Sequence, residues 1–347
     1  MPKNIIFCAD GTWNHPGETD DGLPADTNVY KFFKALEQSA AQAPHYDDGV
    51  GADGTPIDRL LGGAIGDGLF KKIRDGYTVI ARGYADGDRI YVFGFSRGAY
   101  TARSLAGMIA ICGLPAPGKF TDQTTSDAFA AYRAGPSRKP LLDKFTADYA
   151  ARQVGIAMVG VWDTVGSLGI PGDLFDALNV GVYGFLDTSL HPNVQAACHA
   201  VSLDERRREF PPTLWTQTAG REIDQLWFAG VHCDVGGGYA ETGLSDITLG
   251  WMMAKAGAKG LTFDPYVYRR YTTLDPTHAL DPLHESWNLV WGLQARRQVP
   301  DGAAIANSVA IRIETLPEYR PANLPAGFPA ALGGLQIETV VAEPPTS

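Results

Sequence analysis

Ile90-Tyr91-Val92-Phe93-Gly94-Phe95-Ser96-Arg97-Gly98-Ala99 is the stretch whose reading decides the fold. It opens with an unbroken apolar run, the pattern of a strand covered on both faces. Gly94 to Gly98 spells G-x-S-x-G, and Ala99 to Ile109 continues as a helix. A serine between a buried strand and a helix occupies a tight, strained bend that lifts its hydroxyl above the sheet. Gly94 and Gly98 leave room where strand and helix come closest. The Arg97 amide then lies at a helix N-terminus, where a developing negative charge is stabilised. The motif points to Ser96 as a nucleophile. A strand-to-helix turn with a merely capping serine is the competing reading.

Outward from this motif the chain alternates strands and helices. Ile5 to Cys8 reads as a buried strand ending in the turn Asp10-Gly11-Thr12. Val29, Phe32, Phe33 and Leu36 have helical spacing, with Asp26, Thr27 and Asn28 as N-cap candidates. A strand is expected near His45 to Val50 and an amphipathic helix over 69–84. Ile156 to Trp162, Val194 to Leu203 and Leu226 to Val231 read as further strands. A helix over 245–257, capped by Ser245 or Asp246, follows them. This order predicts an α/β fold of the α/β-hydrolase type, a mostly parallel sheet with helices on both faces and inserted segments over the active site. We expect one domain over 1–335, insertions or lids at 113–153 and 168–190, and a tail at 336–347.

Composition narrows the function classes. The 347 residues carry 39 Asp and Glu against 29 Lys and Arg, a net charge of −10. An acidic chain with no basic run longer than Arg206-Arg207-Arg208 opposes nucleic-acid binding. Gly62, Gly63, Gly66 and Gly68 lack the order of a dinucleotide loop, and no Walker lysine pattern is present. Cys8, Cys112, Cys198 and Cys233 have no paired spacing, so neither a zinc site nor a disulfide framework is expected. No metal or organic cofactor is called for. The N-terminus has no signal-peptide pattern and no stretch is long enough to cross a bilayer. The expectation is a cytoplasmic chain whose export would need a signal-peptide-independent system. The sequence carries no signal for an oligomeric state.

A serine hydroxyl needs a base, usually histidine. Of the seven histidines, His232 alone directly follows a clear buried strand, and Gly236-Gly237-Gly238 after it permits a tightly folded loop. His284 is the second candidate, while His199 reads as core. Asp163, at the end of the strand 156–162, and Asp204, at the end of the next, compete as the acid that orients the base. Asp234 and Asp246 rank below them. For the oxyanion hole, the amides of Gly11 or Thr12 join that of Arg97, with the Asp10 side chain pinning the turn.

The motifs together resemble an uncharacterised α/β-hydrolase domain family that includes type VI secretion phospholipase effectors. The resemblance rests on Asp10 to Asn14, Thr27-Asn28-Val29, Gly94 to Arg103, Val161 to Gly166 and Leu203 to Arg207. It extends through Trp227 to His232 with its glycine-rich tail, Ser308-Val309 to Arg312, and Tyr319 to Pro325. It implies a triad of Ser96, Asp163 and His232, favouring Asp163 over Asp204. It also implies hydrolysis of carboxylic esters, phospholipid acyl esters among them. A smaller or soluble ester fits a chain of this length equally well. Acyl transfer by the same triad and a non-catalytic binding module on the same architecture are the rival functions.

Overall fold

The computed structural model describes residues 2–11, 14–49, 63–165, 189–288, 291 and 293–342. In chain order its elements are β1 (Asn4–Ala9), the hairpin strands β2 (Thr19–Asp20) and β3 (Leu23–Pro24), α1 (Asn28–Ala35) and β4 (Gln42–Asp47). Next come α2 (Gly63–Gly83), β5 (Arg89–Phe95), α3 (Arg97–Cys112), α4 (Thr124–Arg133), α5 (Lys139–Tyr149) and β6 (Ile156–Trp162). They are followed by β7 (Ala196–Ser202), β8 (Glu222–Phe228), α6 (His232–Gly236), α7 (Gly243–Ala258) and α8 (Pro265–Thr272). The chain closes with β9 (Ala304–Ala306), α9 (Asn307–Thr315) and β10 (Gln336–Glu338).

Eight strands form one sheet in the order β10-β9-β8-β7-β6-β5-β1-β4, and every pairing in it is parallel. From β1 the chain first adds β4 on one side and then β5 on the other. The strand order therefore reverses between β1 and β5, and a crevice opens there at the carboxyl ends of the strands. Asp10 and Ser96 directly follow those two strands.

Alternation along the central strands divides the core. Ile5, Phe7, Ile90 and Val92 pack with Ile73, Tyr77, Leu105 and Met108 of α2 and α3. Ile6, Cys8, Tyr91 and Phe93 face the other way, against Val29 and Phe32 of α1 and Leu249, Met252 and Met253 of α7. Both faces being covered explains why these strands read as unbroken apolar runs. Each large side chain buried here contributes about 1.5–3 kcal/mol.

Several expectations need correction. Residues 113–153 are not a roof over the crevice. Their helices α4 and α5 bury Phe129, Tyr132, Phe145 and Tyr149 against α2 and α3. The Leu114–Arg152 bridge closes this segment at the end of α3 away from Ser96. Of the other expected insertion, 168–188 lies outside the described residues. Gln336–Glu338 is no loose tail but the edge strand β10, hydrogen-bonded to β9. Helix α7 begins at Gly243, with Thr242 as its N-cap. Asp281 accepts the Gly243 N–H at 3.0 Å, a partner no local pattern announces. Asp246 sits within the first turn and pairs with Lys31 of α1 at 3.2 Å.

The crossing of α3 over β1 is a close backbone approach next to the crevice. A Cβ on Gly98 would lie 2.2 Å from the Ala9 carbonyl oxygen and 2.4 Å from that of Asp10. One on Gly94 would lie 2.3 Å from the Gly98 oxygen. Since backbone cannot step aside, Gly98→Ala is expected to destabilise the fold by at least about 1–3 kcal/mol. Thermal unfolding of the variant checks this, and an unchanged midpoint contradicts the close approach.

Candidate active site

Ser96 adopts φ 57° and ψ −121° between β5 and α3, and its side chain makes no capping bond to the helix it starts. A β-region N-cap would have accepted an amide of the first turn. This backbone instead holds a non-glycine residue at positive φ, a strain that persists only where surrounding structure enforces it. The merely capping serine is thereby ruled out. Ser96 N–H bonds to the Trp162 carbonyl at 3.1 Å, which ties the bend to the end of β6.

Asp163 follows Trp162 at φ 39° and is fully buried. Its N–H bonds to the Ala200 oxygen at 2.8 Å, and its Oδ1 accepts Ser202 N–H at 2.9 Å. Its Oδ2 lies 2.6 Å from His232 Nδ1. Arg297 grips both oxygens, Nη1 to Oδ1 at 2.5 Å and Nη2 to Oδ2 at 2.9 Å. Arg297 also donates to the carbonyls of Ser202 and Phe210. Burial alone would raise the acid, but Arg297 and His232 outweigh it and hold the carboxyl far below the usual range.

His232 opens the short helix α6 rather than lying in a loop. Its N–H donates to Glu205 Oε2 at 3.2 Å, and Asp234 Oδ2 accepts Val231 N–H at 2.9 Å. The glycines beyond it serve packing. A Cβ on Gly236 would strike the Phe95 ring at 1.9 Å, and one on Gly237 would meet Asn28 N at 2.6 Å. Helix α6 is thus pressed onto the residue before Ser96. The imidazole lies against the rings of Phe95, 4.6 Å between centroids, and Phe210, 5.2 Å. Burial lowers the His232 pKa, with Asp163 opposing that shift, so the ring is neutral at neutral pH and able to accept a proton.

The remaining candidates fall elsewhere. Asp204 accepts Gly230 N–H and the Tyr319 hydroxyl, each at 2.7 Å, and its pKa is pushed up to about 6 by burial. Asp163 occupies the imidazole position that Asp204 was weighed for. His284 Nδ1 pairs with Asp234 Oδ1 at 2.6 Å, and its ring stacks on Tyr239 at 3.8 Å. That dyad belongs to a different carboxylate from the one beside Ser96. Asp10 does pin its turn, taking bonds from Thr27 Oγ1 at 2.5 Å and Tyr46 Oη at 2.7 Å. It also takes the Gly11 N–H at 2.6 Å. The Gly11 amide, expected among the oxyanion donors, is thus bonded to the preceding carboxylate. Thr12 lies outside the described residues, and Arg97 opens α3 as expected.

Arg297 went unread in the sequence, since Gln294-Ala295-Arg296-Arg297-Gln298 has no periodicity or motif that marks it. Glu205 is buried and accepts the His232 N–H. It holds Arg207 through Nε to Oε1 and Nη2 to Oε2, both at 2.9 Å. Arg207 lies over the Phe210 ring at 3.8 Å. Among the described residues no group of three or more His, Cys, Asp or Glu is placed to hold a metal ion. No helix among them is long and apolar enough to cross a membrane.

A parallel sheet with a strained serine bend at its switch point, and a histidine–aspartate pair just past the ends of β8 and β6, defines an α/β-hydrolase-like domain. Residues 3–255 match the family described as "T6SS, Phospholipase effector Tle1-like, catalytic domain". The chain belongs to that family. An uncharacterised protein of Saccharomyces cerevisiae is 32% identical over 244 residues, 62% of this chain and 33% of the yeast protein. The chain thus spans about a third of the length of that curated relative. Among solved structures, an uncharacterised Pseudomonas aeruginosa protein is similar at TM-score 0.47 and 17% identity, over 80% of this chain and 50% of that one. The Tle1 effector bound to the VgrG spike of the type VI secretion system gives TM-score 0.38 and 17% identity, over 69% and 51%.

Two stability predictions follow from these charges. Arg297→Met leaves Asp163 buried without its cation and is expected to cost about 3–5 kcal/mol, read from the urea midpoint. His199, fully buried, accepts Thr164 N–H through Nε2 at 3.0 Å. Burial, then the Arg103 guanidinium, lowers its pKa from 6.5 to about 3. Below pH 6.5 the unfolded chain takes up a proton that the folded chain refuses. Stability therefore falls from there towards pH about 3. Subtracting the acid-unfolding curve of His199→Gln from the parent curve isolates this slope, and parallel curves would contradict it.

Proposed function

We propose that the domain is a serine hydrolase of carboxylic esters, with phospholipid acyl esters as its substrate class, working through an acyl-enzyme. The reading is carried by one observation: Ser96 sits in a strained bend directly after Phe95, whose ring lies 4.6 Å from that of His232, and His232 Nδ1 is held by Asp163 at 2.6 Å. Family membership supports the substrate class, and an effector role is part of the same proposal.

His232 takes the Ser96 proton as the oxygen attacks the ester carbonyl, and Asp163 stabilises the imidazolium that forms. The Arg97 amide, in the first turn of α3, stabilises the oxyanion. Collapse of the tetrahedral intermediate breaks the bond to the alcohol, which leaves with the proton from His232. Water, deprotonated by His232, then attacks the acyl-enzyme and releases the acid, returning the proton to Ser96. Arg297 keeps Asp163 ionised throughout.

Ser96→Ala is expected to lower kcat by on the order of 10⁶-fold on short-chain esters, and Asp163→Asn by roughly 10⁴-fold. A fluorophosphonate probe is expected to label the parent protein at Ser96. Ester turnover by Ser96→Ala at the parent rate would remove the hypothesis. Because burial lowers the base, the acid limb of kcat/KM is expected below the ordinary histidine value of 6.5. An inflection above that value contradicts a buried imidazole as base.

A further inference from the structure

Arg297 also lines a cavity of about 200 Å³, together with Asp204, Arg206, Arg296, Arg320 and Asn323 among others. Four guanidinium groups around one small cavity stand out in a chain of net charge −10.

Their partners decide what the cavity holds. Arg297 is matched by Asp163, and Arg206 reaches Glu285 at 3.1 Å on the surface. Glu205, also in the wall, is matched by Arg207. Arg320 Nη1 touches only the carbonyl oxygens of Ile313, Leu316 and Tyr319. Arg296 has no carboxylate within ion-pair distance among the described residues. The one other carboxylate in the wall, Asp204, already accepts Gly230 N–H and the Tyr319 hydroxyl. Asn323 Nδ2 is turned to the carbonyls of Leu203 and Arg297. Two exposed guanidinium groups thus have no carboxylate within ion-pair distance among the described residues. Planar forks of N–H donors match the oxygens of a tetrahedral phosphate.

We propose that this cavity is a binding site for a phosphate-type oxyanion, held by Arg296 and Arg320 with Arg206 at the rim. The oxyanion is either the phosphate of a lipid hydrolysed at Ser96 or free phosphate. The lipid arm rests on the hydrolase reading, and the free-phosphate arm does not.

Both arms are tested with the full chain and the double variant Arg296→Gln/Arg320→Gln, whose changes lie on the surface. For free phosphate, inorganic phosphate is titrated against chloride at matched ionic strength, in parallel on the Ser96→Ala protein. A rise in thermal midpoint that the double variant loses supports the site whether or not Ser96 is catalytic. For lipid phosphate, kcat/KM is compared between a short-chain phosphatidylcholine and a phosphate-free ester of equal acyl length. The double variant is expected to lower the phospholipid-to-ester ratio by about tenfold, as the loss of one charge-assisted bond would. An unchanged midpoint together with an unchanged ratio overturns the proposal, while ester turnover in the same samples leaves the serine-hydrolase reading standing. A protein that turns over no ester sinks that reading instead, and the phosphate titration still decides this one.

Discussion

A carboxylate sealed from water is the constraint around which the site is organised. Taking Asp163 out of solvent costs several kcal/mol, recovered only through well-aligned opposite charge and hydrogen bonds. The protein supplies Arg297 in a two-point grip, the Ser202 amide and the His232 imidazole. These groups come from the 290s segment, the end of β7 and the start of α6. One buried charge thus fixes three segments to the end of β6, and its demand for partners sets where the imidazole stands.

The same pressure explains the aromatic packing. Phe95 and Phe210 cover the imidazole, which keeps it neutral, and Phe210 is itself held by Arg207 and Trp291. Phe95 belongs to the strand that ends in Ser96, so burying the base and placing it beside the serine bend are one packing event. Gly236 makes this approach possible, since any side chain there would enter the Phe95 ring. On the other side, Asp10 gathers Thr27, Tyr46 and its own neighbouring amide. That rigid turn supports the crossing of α3 at Gly98. It also binds the amide that local reasoning assigned to the oxyanion.

Local pattern carried much of this. Apolar runs marked β1, β5 and β6 because both sheet faces are covered, and the 3.6-residue period marked α1 and α2. The bend at Ser96 was legible because strand, glycine and helix must follow one another there within a few residues. Legibility failed where a role depends on a partner distant in the chain. Arg297 is 134 residues from Asp163, and its own neighbours carry no periodicity. Gln336–Glu338 is a strand only because β9 offers it an edge.

The residue order by itself determined the α/β class, the serine bend and the short set of imidazoles and carboxylates able to serve it. Those features arise from contacts within one strand–turn–helix unit. Only the tertiary structure decided the pairing of Asp163 with His232, that of Asp234 with His284, and the ties that fix the Asp10 turn. Each of these choices turns on which buried polar groups find partners. That is settled by strand ends meeting along a folded sheet edge, a matter on which neighbouring residues in the chain are silent.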